Sequence, residues 1–177
     1  MNLVEQHKYQ ENERILNALV NDIRPSTVVE LGFGTGALTV AMAYVLSQYN
    51  GKLYGYDLLS PDLALSRLHE RNLSQYCTLY QGDVYDLFLA NPFHFDLILI
   101  DIHNTWEYVY HVVINNPIVN NTIKNGAHVI IEGGAEAHPR MNKHTLDSFH
   151  ERIGNTVFEF EHISGPRTSL STLKLLI

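Results

Sequence analysis

The chain has 177 residues, of which 45% are hydrophobic and one is a cysteine. This size fits a single domain, residues 1–177, with its own core and no disulfide framework. The formal net charge of −7 and the isoelectric point near 5.7 disfavour a nucleic-acid partner, because clustered Lys and Arg carry phosphate-backbone binding. No run approaches the roughly 20 apolar residues of a membrane span, and the amino terminus lacks the apolar segment of a signal peptide. We therefore expect a soluble, cytoplasmic protein with a small-molecule substrate and no membrane partner.

Helical and extended patterns alternate along most of the chain. Apolar residues at helical spacing predict a first helix that ends before Pro25, and the first strand follows at 27–31. Further strands are predicted at KLYGYD, CTLYQGD, FDLILID and AHVIIEG. One helix is predicted at 37–49. Further helices are predicted to begin at SPD (residues 60–62), at about Val84 and at about Thr105. Strands joined in this way by helices form a parallel sheet that is covered on both faces.

The last third of the chain departs from this alternation. A helix at 142–153 is followed by TVFEFEHI and LSTLKLLI, which are separated only by SGPRTS. So short a link permits an antiparallel pair and not a crossover. We therefore predict an α/β fold, a Rossmann-like sandwich with a seven-stranded, mostly parallel sheet, an antiparallel last strand and helices on both faces.

The stretch VVELGFGTGALTV places glycines at positions 32, 34 and 36, between a strand and a helix. Glycines at such a turn allow a ligand to approach the unpaired amides of the helix start, which predicts a nucleotide-like ligand. GFGTGA fits both G-x-G-x-G and the dinucleotide pattern G-x-G-x-x-A that ends at Ala37. Asp57, at the end of the second strand, is placed to accept hydrogen bonds from ribose hydroxyls, but either class of cofactor would use it.

Three other features favour a nucleoside with an aminoacyl group over a dinucleotide. Glu30 precedes the first glycine, where a carboxylate suits an ammonium group and repels a pyrophosphate. Asp83, in QGD at the end of the third strand, is placed to accept from an adenine amino group. The terminal antiparallel pair takes the place of a second mononucleotide-binding half. The alternative for both acids is a structural role as a cap or turn residue.

With these motifs in this order, the chain resembles the class I S-adenosylmethionine-dependent methyltransferases. The resemblance implies the same sandwich fold and a methyltransferase activity. VVELGFGTG resembles their first motif, GYD their ribose-binding acid, QGD their adenine-side acid, and the closing hairpin their reversed last strand. The resemblance implies that S-adenosyl-L-methionine is the cofactor. The cofactor-binding residues that it implies are Glu30, Gly32, Phe33, Gly34, Gly36, Asp57, Leu58, Asp83, Val84 and Asp101.

The segment DIHNTWEY after the fourth strand resembles the D-G-D-H-[ST]-Y-E segment of small-molecule O-methyltransferases related to the catechol, macrolide-sugar and cephalosporin-type enzymes. The matching positions are Asp101, Thr105, Trp106 and Glu107. His103 stands where that group has its second Asp, and Asn104 stands where it has His, so the order of polar groups is altered. We expect His103 to be the catalytic base, because an unperturbed imidazole titrates near physiological pH, and Asp101 either to orient His103 or to bind the ion that acidifies the hydroxyl. We also expect substrate contacts from Asn104 and from Trp106, the latter by stacking on an acceptor ring.

Each of these roles has a structural alternative. His103 would instead cap the helix that begins near Thr105, and Trp106 would pack in the core. The same relatives often hold Mg²⁺ with an Asp after strand four and an acidic pair or Asp-Asn after strand five. Asp101 and Glu132 match these metal ligands, but Gly133 stands beside Glu132, so a metal would be held by two carboxylates and waters.

The leading hypothesis is methyl transfer from S-adenosylmethionine to a hydroxyl group of a small molecule, such as a phenol or a sugar. A nicotinamide-dependent oxidoreductase that uses GFGTGA is one alternative, and a non-catalytic nucleoside-binding or scaffold protein of the same fold is another. Little material is available to enclose a substrate, so closure by a second subunit in a homodimer is a further expectation.

Overall fold

A computed structural model describes residues 3–138, 140–163 and 169–176. The α-helices are α1 (Leu3–Ile23), α2 (Ala37–Ser47), α3 (Asp62–Glu70), α4 (Trp106–Tyr110), α5 (Pro117–Lys124) and α6 (Lys143–Ile153). The strands are β1 (Thr27–Leu31), β2 (Lys52–Asp57), β3 (Cys77–Gln81), β4 (Leu97–Ile100), β5 (His128–Glu132), β6 (Phe158–His162) and β7 (Leu170–Leu175). Single π-helical turns lie at Tyr85–Leu89 and His111–Asn115.

The strands form one seven-stranded sheet in the order β3-β2-β1-β4-β5-β7-β6. Strands β1 to β5 are parallel to one another, and β7 is antiparallel to both β5 and β6. The sheet confirms the predicted fold, including the reversed last strand, although most of the SGPRTS link lies outside the described residues. The strand order reverses between β1 and β4, and in such sheets ligands bind beyond the carboxyl ends of the strands at this point.

Successive residues of the central strands pack against opposite helical layers. Val29 and Leu31 belong to the core that α4, α5 and α6 cover, whereas Val28 lies in the core that α1 and α2 cover. Ile98 and Leu97 of β4 divide in the same way. The side chains alternate because neighbouring residues of a strand point to opposite faces of the sheet. Both faces are therefore buried, and the carboxyl edge of the sheet is left for polar side chains.

The connection between β4 and β5 contains more elements than the single helix that the sequence predicts. The Thr105 hydroxyl caps α4 by accepting a hydrogen bond from the Tyr108 backbone amide at 3.3 Å. After the π-helical turn, Asn116 caps α5 by accepting hydrogen bonds from two backbone amides of its first turn. Pro117 fits the first position of α5 because that position needs no backbone N–H.

None of the helices in the described part of the chain is long and apolar enough to cross a membrane.

Trp106 holds α4 against the terminal hairpin, which consists of β6 and β7. We therefore expect replacement of Trp106 to destabilise the fold. Its side chain is 2% exposed, its ring stacks on Phe160 with centroids 5.4 Å apart, and Nε1 donates to the Thr145 hydroxyl at 3.0 Å. Trp106→Ala should lower the free energy of unfolding by about 3–5 kcal/mol in urea denaturation. Tyr44→Ala is the control, because Tyr44 is 60% exposed; it should change stability by less than about 0.5 kcal/mol. Equal stability of the two variants would contradict the assignment.

Candidate functional site

The glycines after β1 have different functions in the structure. A Cβ atom on Gly32 would lie 2.5 Å from the backbone oxygen of Asp101, and one on Gly36 would lie 2.7 Å from the Cα atom of Ala64. Both positions are closed by the protein itself, contrary to the expectation that a ligand requires all three glycines. A Cβ atom on Gly34 would meet no protein atom within 4 Å in the described structure. Only Gly34 therefore borders open space.

Asp57 lies at the carboxyl end of β2 and holds the glycine turn. One carboxylate oxygen accepts a hydrogen bond from the Gly34 backbone amide at 2.7 Å, and the other accepts from the Leu59 amide at 2.9 Å. Asp57 is half-buried, and the Leu58 side chain beside it is 65% exposed. A carboxylate acceptor and an exposed apolar side chain thus lie together next to the turn.

Glu30 is buried beneath the glycine turn. It shares the α2 face of β1, where Oε2 accepts a hydrogen bond from the Thr39 hydroxyl at 2.7 Å. Its side chain is 1% exposed, and Oε1 has no hydrogen-bond partner among the described residues. Burial raises the pKa of Glu30 to about 8; the carboxylates of Asp101 and Asp57 act in the same direction, and the Thr39 hydrogen bond opposes them. Glu30 is therefore protonated at neutral pH in the protein alone.

The residues predicted for the adenine end lie beyond β3. Asp83 is exposed, and one of its oxygens accepts a hydrogen bond from the Tyr85 backbone amide at 2.8 Å. This contact is the local turn role that the sequence left open for Asp83. Val84 and Phe33 are both buried, with 5% and 4% of their surfaces exposed. Their side chains therefore lie in the interior of the protein, whereas Asp83 and Leu58 are exposed.

Asp101 and His103 follow β4, next to the glycine turn. The Asp101 backbone amide donates to the Leu31 oxygen at 2.8 Å, which extends the pairing of β4 with β1. His103 is exposed, has a φ of +58°, and its ring centroid lies 4.7 Å from that of Tyr108. Because Thr105 caps α4, the alternative role of His103 as the helix cap is wrong.

Glu132 connects three loops at the carboxyl end of β5. Its Oε2 atom accepts a hydrogen bond from the Asn104 amide group at 2.7 Å and lies 3.5 Å from His138 Nε2. Its Oε1 atom accepts a hydrogen bond from the Ser169 hydroxyl. Glu132 is 8% exposed. The sequence predicts Glu132 at this position, but it gives no signal for the contacts with His138 and Ser169.

These contacts do not fit the predicted Mg²⁺ site. Both carboxylate oxygens of Glu132 face hydrogen-bond donors, whereas Mg²⁺ requires about six oxygen ligands in near-octahedral geometry. Within residues 3–138, 140–163 and 169–176, no group of at least 3 His, Cys, Asp or Glu side chains is placed to share a metal ion. We therefore assign no catalytic step to a metal.

Trp106, predicted to stack on a substrate ring, does not reach the site. It is 2% exposed and packs between α6 and the terminal hairpin, because its position at the start of α4 points inward. The packing alternative describes Trp106 correctly. Of the two residues predicted to contact the substrate, only Asn104 lies at the carboxyl edge of the sheet.

Two open cavities lie away from this edge. A groove of about 890 Å³ runs between α6 and β6, and a hollow of about 420 Å³ lies near the amino ends of β1 and β5. Neither is lined by the glycine turn or by the acids that follow β2, β3 and β4. The glycine turn and these acids define the candidate site.

Comparison with solved structures shows the same fold in several methyltransferases. The O-methyltransferase of tomaymycin synthesis from Streptomyces achromogenes, in complex with SAM, has a TM-score of 0.65 and 16% identity, over 93% of this chain and 79% of its own. An O-methyltransferase from Bacillus cereus in complex with SAH has a TM-score of 0.65 and 17% identity, over 92% and 80%. A methyltransferase from Geobacter sulfurreducens has a TM-score of 0.64 and 18% identity, over 97% and 86%.

No family model matches the sequence, and no curated protein matches it. At these low identities the structural likeness shows the fold. The chain thus has the fold of these methyltransferases, the Rossmann-like sandwich that the sequence predicts.

Proposed function

We propose that the protein is an S-adenosylmethionine-dependent methyltransferase that transfers a methyl group to a hydroxyl group of a small molecule, such as a phenol or a sugar. The observation that carries the proposal is the buried carboxyl group of Glu30. It lies beneath the glycine turn with one oxygen unpaired among the described residues and within electrostatic reach of Asp57 and Asp101. Such a site gains free energy from a cationic ligand, because the cation attracts the neighbouring carboxylates and favours the ionised form of Glu30.

The residues around the turn fit the cofactor group by group. In this proposal Glu30 and Asp101 hold the aminoacyl ammonium, and the Asp57 carboxylate accepts hydrogen bonds from the ribose hydroxyls. Leu58 offers an apolar surface to a base, and Asp83 accepts from its amino group. When bound, S-adenosylmethionine supplies an electrophilic methyl carbon on a sulfonium, which an attacking oxygen takes as the thioether leaves. The protein has to align the acceptor and remove its proton.

We assign removal of the proton from the acceptor hydroxyl to the imidazole of His103. This side chain is exposed at the carboxyl end of β4, two residues after Asp101, and it does not serve as the α4 cap. An imidazole is suited to this role because one ring nitrogen of its neutral form can accept a proton. Asp101 orients the base and adds to the negative potential that favours the cationic cofactor.

Two alternatives are separated from this proposal by direct measurements. If the chain is an NAD-dependent oxidoreductase, parallel calorimetric titrations should show binding heat with NAD and none with S-adenosylhomocysteine. If it is a non-catalytic nucleoside-binding protein, it should bind S-adenosylhomocysteine but transfer no methyl group to any phenol or sugar in a broad panel. Radiolabelled S-adenosylmethionine with that panel is the decisive assay, and transfer of label to an acceptor hydroxyl is the expected result.

We further propose that residues 1–177 form a single domain and that the protein is cytoplasmic. We also propose that a second copy of the chain closes the side of the site where the acceptor binds. Native mass spectrometry measures the number of chains and any co-purified cofactor in one experiment.

Cofactor binding should release a proton from Glu30. The Glu30 pKa of about 8 in the protein alone means that its carboxyl group is protonated at pH 7. A nearby ammonium lowers that pKa, so the proton leaves on binding. Calorimetry with S-adenosylhomocysteine at pH 7, in buffers of different ionisation enthalpy, should show release approaching about one proton per site. Glu30→Gln keeps the Thr39 hydrogen bond but cannot titrate, and it should show no release. Equal buffer dependence for both proteins would refute the role of Glu30.

Asp57→Ala should weaken cofactor binding. The substitution removes an ionised acceptor and also releases the Gly34 amide. We expect a loss of about 1.5–3 kcal/mol in S-adenosylhomocysteine affinity, measured by calorimetry. Glu70→Ala is the control, since it removes an exposed acid from α3, and its affinity should match that of the original chain. An unchanged affinity for Asp57→Ala would show that ribose binds elsewhere.

His103→Ala should lower kcat about 100-fold without a change in S-adenosylhomocysteine affinity, because a positioned base contributes about 10²–10⁴ to the rate. His144→Ala, which removes an exposed histidine of α6, is the matched control and should retain full activity. Activity of His103→Ala equal to that of the control would assign proton removal to another group.

A further inference from the structure

A strained turn lies between β4 and α4 and carries the proposed base. His103 and Asn104 have φ values of +58° and +37°, although residues with a Cβ atom adopt this left-handed region rarely. The Asn104 backbone amide closes the turn by donating to the Ile102 oxygen at 2.7 Å. Such backbone strain persists only where surrounding contacts stabilise it.

The contact that stabilises this turn comes from Glu132. The Asn104 amide group donates to Glu132 Oε2 at 2.7 Å, across 28 positions of sequence, in a part-buried environment. Glu132 is itself held by the Ser169 hydroxyl at Oε1, so its carboxylate has a fixed orientation. The Asn104 side chain is therefore tied to a rigid point on β5, and the backbone of the turn follows it.

The orientation of His138 reinforces this arrangement and keeps His138 from acting as a base. Its Nδ1 atom faces the backbone amides of Met141 and Arg140, at 2.9 and 3.3 Å. Since these amides can only donate, Nδ1 is an acceptor and the ring proton is on Nε2. Nε2 lies 3.5 Å from Glu132 Oε2. The imidazole of His138 thus presents an N–H group to Glu132.

We propose that Glu132 is a positioning residue, which holds the 102–104 turn through Asn104 and so presents His103 to the acceptor, in place of binding a metal ion. The inference rests on the proposed function for its catalytic consequence. The carboxylate oxygens of Glu132 accept hydrogen bonds from the Asn104 amide group and the Ser169 hydroxyl, whereas a metal ligand would direct its lone pairs at the ion. Methyl transfer by this chain is accordingly independent of divalent cations.

The test compares Glu132→Ala, Asn104→Ala and Glu132→Gln. Glutamine can still accept the Asn104 hydrogen bond through its carbonyl oxygen and donate to the Ser169 hydroxyl, so positioning survives while the negative charge is lost. We expect both alanine variants to lower kcat at least about 10-fold with unchanged S-adenosylhomocysteine affinity. Glu132→Gln should stay within about 3-fold of the original chain. The double alanine variant should be no slower than either single variant, because both remove the same contact.

A chelator should leave activity unchanged, and calorimetric titration with Mg²⁺ should show no binding heat. Loss of activity in Glu132→Gln, together with Mg²⁺ binding to the original chain, would overturn the inference in favour of a metal site.

A measurement independent of activity separates this inference from the proposed function. In protein with isotope-labelled histidine, the His103 ring signals should shift in Asn104→Ala and Glu132→Ala and stay in place in Glu132→Gln. Circular dichroism confirms that each variant is folded. Unmoved His103 signals in both alanine variants would overturn the positioning role, whether or not methyl transfer is observed. Shifted signals without any methyl transfer would retain the positioning role and count against the proposed function alone.

Discussion

The close approach of β1 and β4 at their carboxyl ends determines the shape of the site. The backbone of Asp101 lies where a side chain on residue 32 would project, so the first glycine is required by the protein whether or not a ligand is bound. The third glycine is required in the same way by α3, through Ala64. The turn is thus held in one conformation before any ligand arrives, and Asp57 adds a hydrogen bond to its middle residue. Binding then needs little further ordering of the backbone, which preserves affinity.

Charge at the same edge of the sheet favours one kind of ligand. Three acids approach the turn, and the buried one, Glu30, stays neutral at pH 7 because its surroundings penalise a further negative charge. An anionic pyrophosphate would meet repulsion here, whereas a cation would be attracted by the same groups. The cost of burying Glu30 is a property of the protein alone. A cationic ligand offsets part of that cost, so the electrostatics of the site favour the binding of a cation.

The positions of Asp57 and Asp83 could be predicted from sequence because each residue lies at or just after the end of a strand. A buried apolar run predicts the strand, and the next acid must then lie at the shared edge, as for Asp57 and Asp83. The contact between Asn104 and Glu132 could not be predicted in this way. Asn104 and Glu132 are 28 residues apart, and no spacing rule shows that an amide in one loop faces a carboxylate in another. The position of Trp106 at a helix start was likewise visible, but only Phe160 on the distant β6 shows why its ring turns inward.

The reversed strand β7 connects the fold to the chemistry of the acceptor side. In a dinucleotide-binding sheet a second parallel half continues beyond β4, but here β7 runs antiparallel beside β5. Its hydroxyl groups are directed at the end of β5. Ser169, immediately before β7, donates to Glu132, and Ser171 donates to the Gly133 backbone oxygen at 2.7 Å. The strand that takes the place of a second nucleotide half thus supplies contacts that fix the loop after β5. Because Glu132 ends β5 and accepts a hydrogen bond from Asn104, the reversed strand is linked through Glu132 to the turn of residues 102–104.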